Sequence, residues 1–178
     1  VTTAKIINDA VTKDKLLSHN YPAFEAILSA DVYPADATNT KLSLDSEIFD
    51  TDGCYNNTGS TVTLNGISVP SYSFAPNVAG KYYILAQVLI NPTASNNVAR
   101  GICEILKNNN AIVTSDLASN TSSNFEFITP SVAIITELNG TSDYVHATGY
   151  SDNTSASNRF KGDGTIARTF FGAYRIGD

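Results

Sequence analysis

Asp50-Thr51-Asp52-Gly53 gathers two carboxylates within three residues, the oxygen-rich kind of turn that a hard cation such as calcium uses. An EF-hand loop does not fit it. Counted from Asp50, the obligatory glycine position holds Tyr55 and the closing glutamate position holds Thr61; counted from Ile48, the first ligand position is apolar. Asp-Gly is itself a turn dipeptide, and a solvated turn accounts for the cluster without an ion. Gly162-Asp163-Gly164-Thr165-Ile166-Ala167 matches the loose dinucleotide-binding pattern, with Ala in the last place. That pattern needs a following helix and an acidic residue about twenty positions on. Ile166–Ile176 reads as a strand instead, so the glycines mark a tight loop before it. Nucleophilic chemistry would pair Cys54 or Cys103 with His19 or His146, the only thiols and imidazoles in the chain. Cys103 lies in an apolar segment, where a cysteine is a small buried hydrophobe, and His146 lies in an alternating segment as a packed or rim side chain. Glycoside hydrolysis by Asp45 with Glu47, or Glu137 with Asp143, would need a cleft holding the carboxylates about 5–9 Å apart, and the spacing does not require one. No catalytic, cofactor-binding or metal-binding residue is assigned, and the chain reads as a non-enzyme.

Composition points the same way. The 178 residues carry 11 basic and 17 acidic side chains, a net charge of −6 that repels phosphate backbones and makes nucleic acid a poor partner. No apolar run approaches the roughly 18 residues of a membrane span, and no charged-then-apolar leader is expected at the N-terminus. Two cysteines exclude a disulfide-dense scaffold and leave one bridge or two free thiols. Met is absent, so Val1 is either exposed by removal of an initiator Met or the first residue of a fragment. The sequons at Asn56, Asn120, Asn139 and Asn153 matter only in a protein secreted from a eukaryotic cell.

The elements that must position these side chains fall into two regions. VTTAKIINDA (residues 1–10) aligns with VTKDKLLSHN (residues 11–20) at a period of ten, either as a two-copy repeat or as one amphipathic helix. Both readings leave Val1, Ile6, Ile7, Val11, Leu16 and Leu17 in need of a neighbour. From Tyr21 onward, short apolar stretches alternate with Asn, Thr, Ser, Gly and Asp. The predicted strands are 23–30, 40–44, 60–64, 72–74, 81–90, 101–107, 111–114, 125–128, 131–138, 144–150 and 166–176. Asn65-Gly66, Asn108-Asn109-Asn110 and Asn139-Gly140 are the turn signals. The class is an all-β sandwich or barrel. Strand 81–90 carries apolar residues on both faces: Tyr82, Ile84, Ala86, Val88 and Ile90 on one, Tyr83, Leu85, Gln87 and Leu89 on the other. One face serves the core. The other needs a covering loop or, as preferred here, a second subunit.

Four segments carry a resemblance. Pro22-Ala23-Phe24-Glu25-Ala26, Tyr72 to Tyr83 (YSFAPNVAGKYY), Leu138 to Val145 (LNGTSDYV) and Phe170 to Ile176 (FFGAYRI) resemble, in that order, the opening strand, the F-x-x-P-x-x-G-x-Y segment, the L-x-x-G-D-x-V segment and the closing strand of C1q-like globular heads. The third is loosened by two extra residues between Gly140 and Asp143. The resemblance implies a ten-stranded jelly roll of the C1q/tumour-necrosis-factor superfamily, assembled as a homotrimer. On it, Tyr82, Tyr83, Leu85 and Leu89 become candidate interface residues, with Phe74 and Phe171 secondary; alternation alone does not choose between the parities of strand 81–90. The N-terminal segment VTTAKIINDAVTKDKL resembles the A-V-T-x-x-K-[IL] units of bacteriophage fibre shafts.

Together these imply a stalk over residues 1–20 and a head over 21–178, in a virion protein at the particle surface. The stalk would join other virion proteins, and the head would present itself to a host-surface glycan or protein. A capsid decoration protein that stabilises the shell, or a secreted C1q-like recognition module, are the alternatives.

Overall fold

Paired asparagines set the hairpins. Asn108 (φ 50°) and Asn109 (φ 66°) both lie in the left-handed region, as do Asn65 (φ 50°) and Gly66 (φ 79°), the conformation of a two-residue turn whose twist matches the strands it joins. The computed structural model describes residues 21–94, 97–120, 124–155 and 157–177. Val1, Ile6, Ile7, Val11, Leu16 and Leu17, and with them the stalk, lie outside the described residues.

Thirteen strands form among the described residues: β1 (Ala23–Ile27), β2 (Thr40–Lys41), β3 (Ser46–Asp50), β4 (Tyr55–Asn56), β5 (Val62–Leu64), β6 (Ile67–Val69), β7 (Ser73–Phe74), β8 (Gly80–Gln87), β9 (Val98–Lys107), β10 (Asn110–Ala118), β11 (Ser131–Leu138), β12 (Val145–Asn153) and β13 (Phe170–Gly177). All pairings are antiparallel. One sheet runs β11-β8-β13-β1-β3; the second runs β10-β9-β12-β7-β4, with β2 also on β12, and β5-β6 is a separate hairpin. The class and sandwich architecture are those expected. Thirteen strands replace ten because five are only two or three residues long. β3, β4 and β6 were not foreseen. The expected strand 125–128 makes only isolated bridges, Phe125 to Val98 and Ile128 to Ile90.

Between the sheets, alternate residues of each strand meet. Phe24 stacks on Tyr55 and Phe74, with ring centroids 4.5 and 4.6 Å apart, and meets the edge of Phe171 at 5.0 Å. Around them lie Tyr82, Ile84, Ala86, Ile105 and Phe160, all but inaccessible to solvent. Buried hydroxyls in this core find carbonyls: Tyr55 donates to the Leu44 oxygen at 2.8 Å and Tyr82 to that of Val78 at 2.6 Å. Tyr55→Phe strands the Leu44 carbonyl, and we expect it to lower the unfolding free energy by about 1–2 kcal/mol in a denaturant titration. An unchanged midpoint would mean that the carbonyl finds another donor.

Candidate functional site

Among the described residues, which leave out His19, neither the cation site, the dinucleotide loop nor a Cys–His pair weighed above is assembled. The Asp50 carboxylate caps its own turn, accepting from the Tyr55 N–H at 2.8 Å and the Asp52 N–H at 3.3 Å. Among the described residues, no three His, Cys, Asp or Glu side chains are placed to share a metal ion. Asp163 accepts from the N–H and hydroxyl of Thr165 and from Arg168, contacts that hold its carboxyl well below the usual range and shape the loop before β13. Both cysteines are free and buried; burial pushes Cys54 up to about 11 and Cys103 up to about 12, so neither is a thiolate at neutral pH. Cys103 shares its inward parity with Ile105, whereas His146 lies on β12 between the inward-facing Val145 and Ala147. The sheet therefore separates thiol from imidazole.

Of the carboxylate pairs, Glu137 and Asp143 both line an open hollow of about 480 Å³, beside Lys107 and Asn139. Asp45 binds the N–H and hydroxyl of Ser29 at 2.9 and 2.7 Å. Burial works against ionisation of Asp143, but Lys107 at 2.9 Å, Asn108 at 2.7 Å and the Asn139 N–H at 3.0 Å overcome it and hold the carboxyl low. An acid so stabilised as its anion cannot protonate a leaving group at neutral pH. Glu137 stands in solvent, 3.9 Å from Lys81.

The feature without an internal purpose is the outer face of the five-stranded sheet. Its register sets side chains in rows. Ile135, Tyr83 and Tyr174 lie side by side on β11, β8 and β13; the next row is Ala133, Leu85, Gly172, Glu25 and Phe49. Tyr83 and Tyr174 have ring centroids 5.4 Å apart, and Ile135, Tyr174 and Phe49 are 56%, 49% and 44% exposed. Because Gly172 has no side chain, a hollow of about 200 Å³ opens between Phe49, Leu85, Phe170 and Tyr174. A second hollow, of about 300 Å³, lies across Leu85 between Tyr83, Gln87, Ser131 and Ala133. Every residue lining the two belongs to the sheet itself; no loop residue is among them.

The six head residues expected at an interface divide by parity. Tyr83 and Leu85 are on this outer face, half-buried. Leu89 is also half-buried, past the end of β8. Tyr82, Phe74 and Phe171 are a correction: each is fully buried in the core of the protomer, where no partner chain can reach it. Phe49, Ile135, Ala133 and Tyr174 share the outer face and were not among the residues expected at an interface. Tyr174 could have been found from its alternation with Phe171 and Ala173, while Phe49 lies in a strand that was not foreseen.

No family model and no curated protein sequence matches the chain. Solved structures do. Eiger tumour necrosis factor of S. frugiperda superposes with a TM-score of 0.53 at 10% identity, over 89% of this chain and 92% of that one. Murine APRIL at pH 5.0 gives 0.51 at 9% identity, over 88% and 100%. The globular domain of zebrafish complement 1qA gives 0.51 at 10% identity, over 86% and 93%. The fold is the C1q/tumour-necrosis-factor jelly roll. At these identities the likeness is one of backbone architecture.

Proposed function

We propose that the head assembles as a homotrimer through the outer face of the five-stranded sheet, and that it is the outward part of a non-enzymatic virion fibre or spike that attaches to a host surface. The uncovered apolar face carries the assembly reading: exposed patches of this kind on a chain mark contact surfaces. A head-to-tail contact that closes after three copies covers the face without leaving a free patch. The virion reading is supported by the fibre-like repeat of residues 1–20, which would hold the head on the particle.

A glycan-bearing secreted module is disfavoured by two of its sequons. Asn56 is 2% exposed and its amide donates to the Ser60, Val69 and Pro70 carbonyls, and Asn153 is equally buried. Light scattering on the chain with and without residues 1–20 is the test. We expect about 57 kDa, three times the 19.0 kDa chain, for the full protein. A monomer at micromolar concentration would overturn the trimer. Antibodies against the head, applied to particles bearing this chain, should block adsorption; protection lost only against heat or low salt would identify a decoration protein instead.

A further inference from the structure

Beyond Gln87 the five-stranded sheet continues as isolated bridges, in which residues 159–161 take the place that β13 holds lower down. Val32 bridges Phe160, Phe160 bridges Ile90, and Ile90 bridges Ile128, all antiparallel. These residues face the core; the register therefore sets Tyr33, Arg159, Asn91 and Phe127 abreast on the opposite face. The backbone bond from the Asn91 N–H to the Arg159 carbonyl, 3.0 Å, fixes the central pair. Tyr33 and Phe127 are 64% and 54% exposed, and with strands about 4.8 Å apart they are rooted about 14 Å from one another.

Between these rings the floor is polar and already organised. Arg159 Nε donates to the Asn91 carbonyl at 2.6 Å, its Nη2 to Asn91 Oδ1, and its Nη1 to Asp31 Oδ2 at 3.4 Å. Lys161 Nζ reaches the same Asp31 oxygen at 3.2 Å, and the Gly162 N–H donates to Asp31 Oδ1 at 3.0 Å. These bonds use three of the five guanidinium N–H donors and leave two without a partner among the described residues.

We propose that this row is a glycan-binding site, taking a pyranose chain with a ring against Tyr33 or Phe127 and hydroxyls on the Arg159–Asn91–Asp31 floor. A pyranose has an apolar C–H face and a rim of hydroxyls, and the row offers exposed rings for the first and fixed donors and acceptors for the second. A peptide would want an open strand edge or apolar pockets. Here the two central strands of the extension are paired on both sides and the floor is charged. Asp31 balances one of the two cations, so a carboxylate-bearing sugar fits as well as a neutral one. The inference rests on the attachment reading and names the chemistry of its partner.

The test is an array of neutral and carboxylate-bearing pyranose oligosaccharides probed with the full chain, as wild type, Tyr33→Ala, Phe127→Ala and Arg159→Lys. We expect at least one class of oligosaccharide to bind, and each variant to lose ten-fold or more while its melting temperature and scattering mass stay unchanged. Arg159→Lys keeps the charge but removes the planar fork, so its loss would be specific to directed hydrogen bonding. No binding by the wild type, or binding that survives both aromatic deletions, would overturn the site. So would variants that change the mass, which would make the row a contact between copies. Each of these outcomes is read separately from the wild-type mass that tests the trimer.

Discussion

Leu85→Asp should convert the proposed trimer to a folded single chain of 19.0 kDa in light scattering, with the strand content of the head retained. Leu85 lies at the middle of the outer face and lines both hollows. In an isolated head its side chain is half-buried and a carboxylate there can turn to water, so the fold itself loses little. In the proposed trimer each copy would bury that charge in an apolar contact, at a cost of about 3–5 kcal/mol per buried unpaired charge. Tyr83→Asp should act in the same way. Tyr82→Asp, one residue away but turned inward, should unfold the head outright, because Tyr82 is wholly buried against the Phe74 ring. Adjacent positions with opposite outcomes, dissociation against unfolding, would establish which parity serves which purpose. A Leu85→Asp protein that stays at about 57 kDa would sink the assigned face.

Acidification should destabilise the head before its carboxylates titrate. His146 is 3% exposed, stacks beside Tyr144 at 6.2 Å, and has no partner for Nδ1. Tyr144 in turn packs on the β5–β6 hairpin cluster of Ile67, Val69 and Ala75. Burial, with the Lys41 charge adding to it, lowers His146 to about 4 from 6.5. Lys41 is fixed close by through bonds to Ser71 and Ser73. Because the folded value is depressed, the unfolded chain binds the proton first. Stability is complete above about pH 7 and falls as the pH drops from 6.5 to 4, by about 3 kcal/mol in all. The low carboxyls of Asp36, Asp116 and Asp143 act the same way only at lower pH, as protonation proceeds below their usual range near 3.8. Urea midpoints taken at steps between pH 7 and 4.5 therefore follow His146, opposed by Glu47, whose carboxyl is raised by burial and by the neighbouring Asp50 and so adds stability as the pH falls. His146→Leu should flatten that slope; a slope that persists in the variant would place the titrating group elsewhere.

What could be read from the residues follows from which forces are local. Asn108-Asn109 and Asn65-Gly66 were legible as turns because positive φ is a property of those residues themselves. The double apolar parity of β8 was legible as a demand for two covers. Which parity met the core was not, since Tyr82 and Tyr83 differ only in what the remaining strands place opposite them. Phe74 and Phe171 went astray for the same reason: large aromatic rings suit a core and an interface equally. β3 escaped notice because Ser46, Glu47 and Asp50 outnumber its two apolar residues, Ile48 and Phe49, and its pairing with β1 is a tertiary event. The Tyr33–Arg159–Asn91–Phe127 row joins four distant segments, and no local pattern connects them.

The position of β13 has a consequence for how the head comes into being. This strand, Phe170–Gly177, lies between β8 and β1 at the centre of its sheet, with Phe24 opposite Ala173 and Ile84 on its other side. β1 can pair with β3 early, but its other edge waits for β13, the last strand of the head to be made. Until then the growing chain holds β1 and β8 with unpaired edges, the arrangement most open to association with the wrong neighbour. Pairings this distant in sequence also place the head among slowly folding β proteins, on a scale of milliseconds to seconds. Completion of this sheet thus waits on residues 170–177.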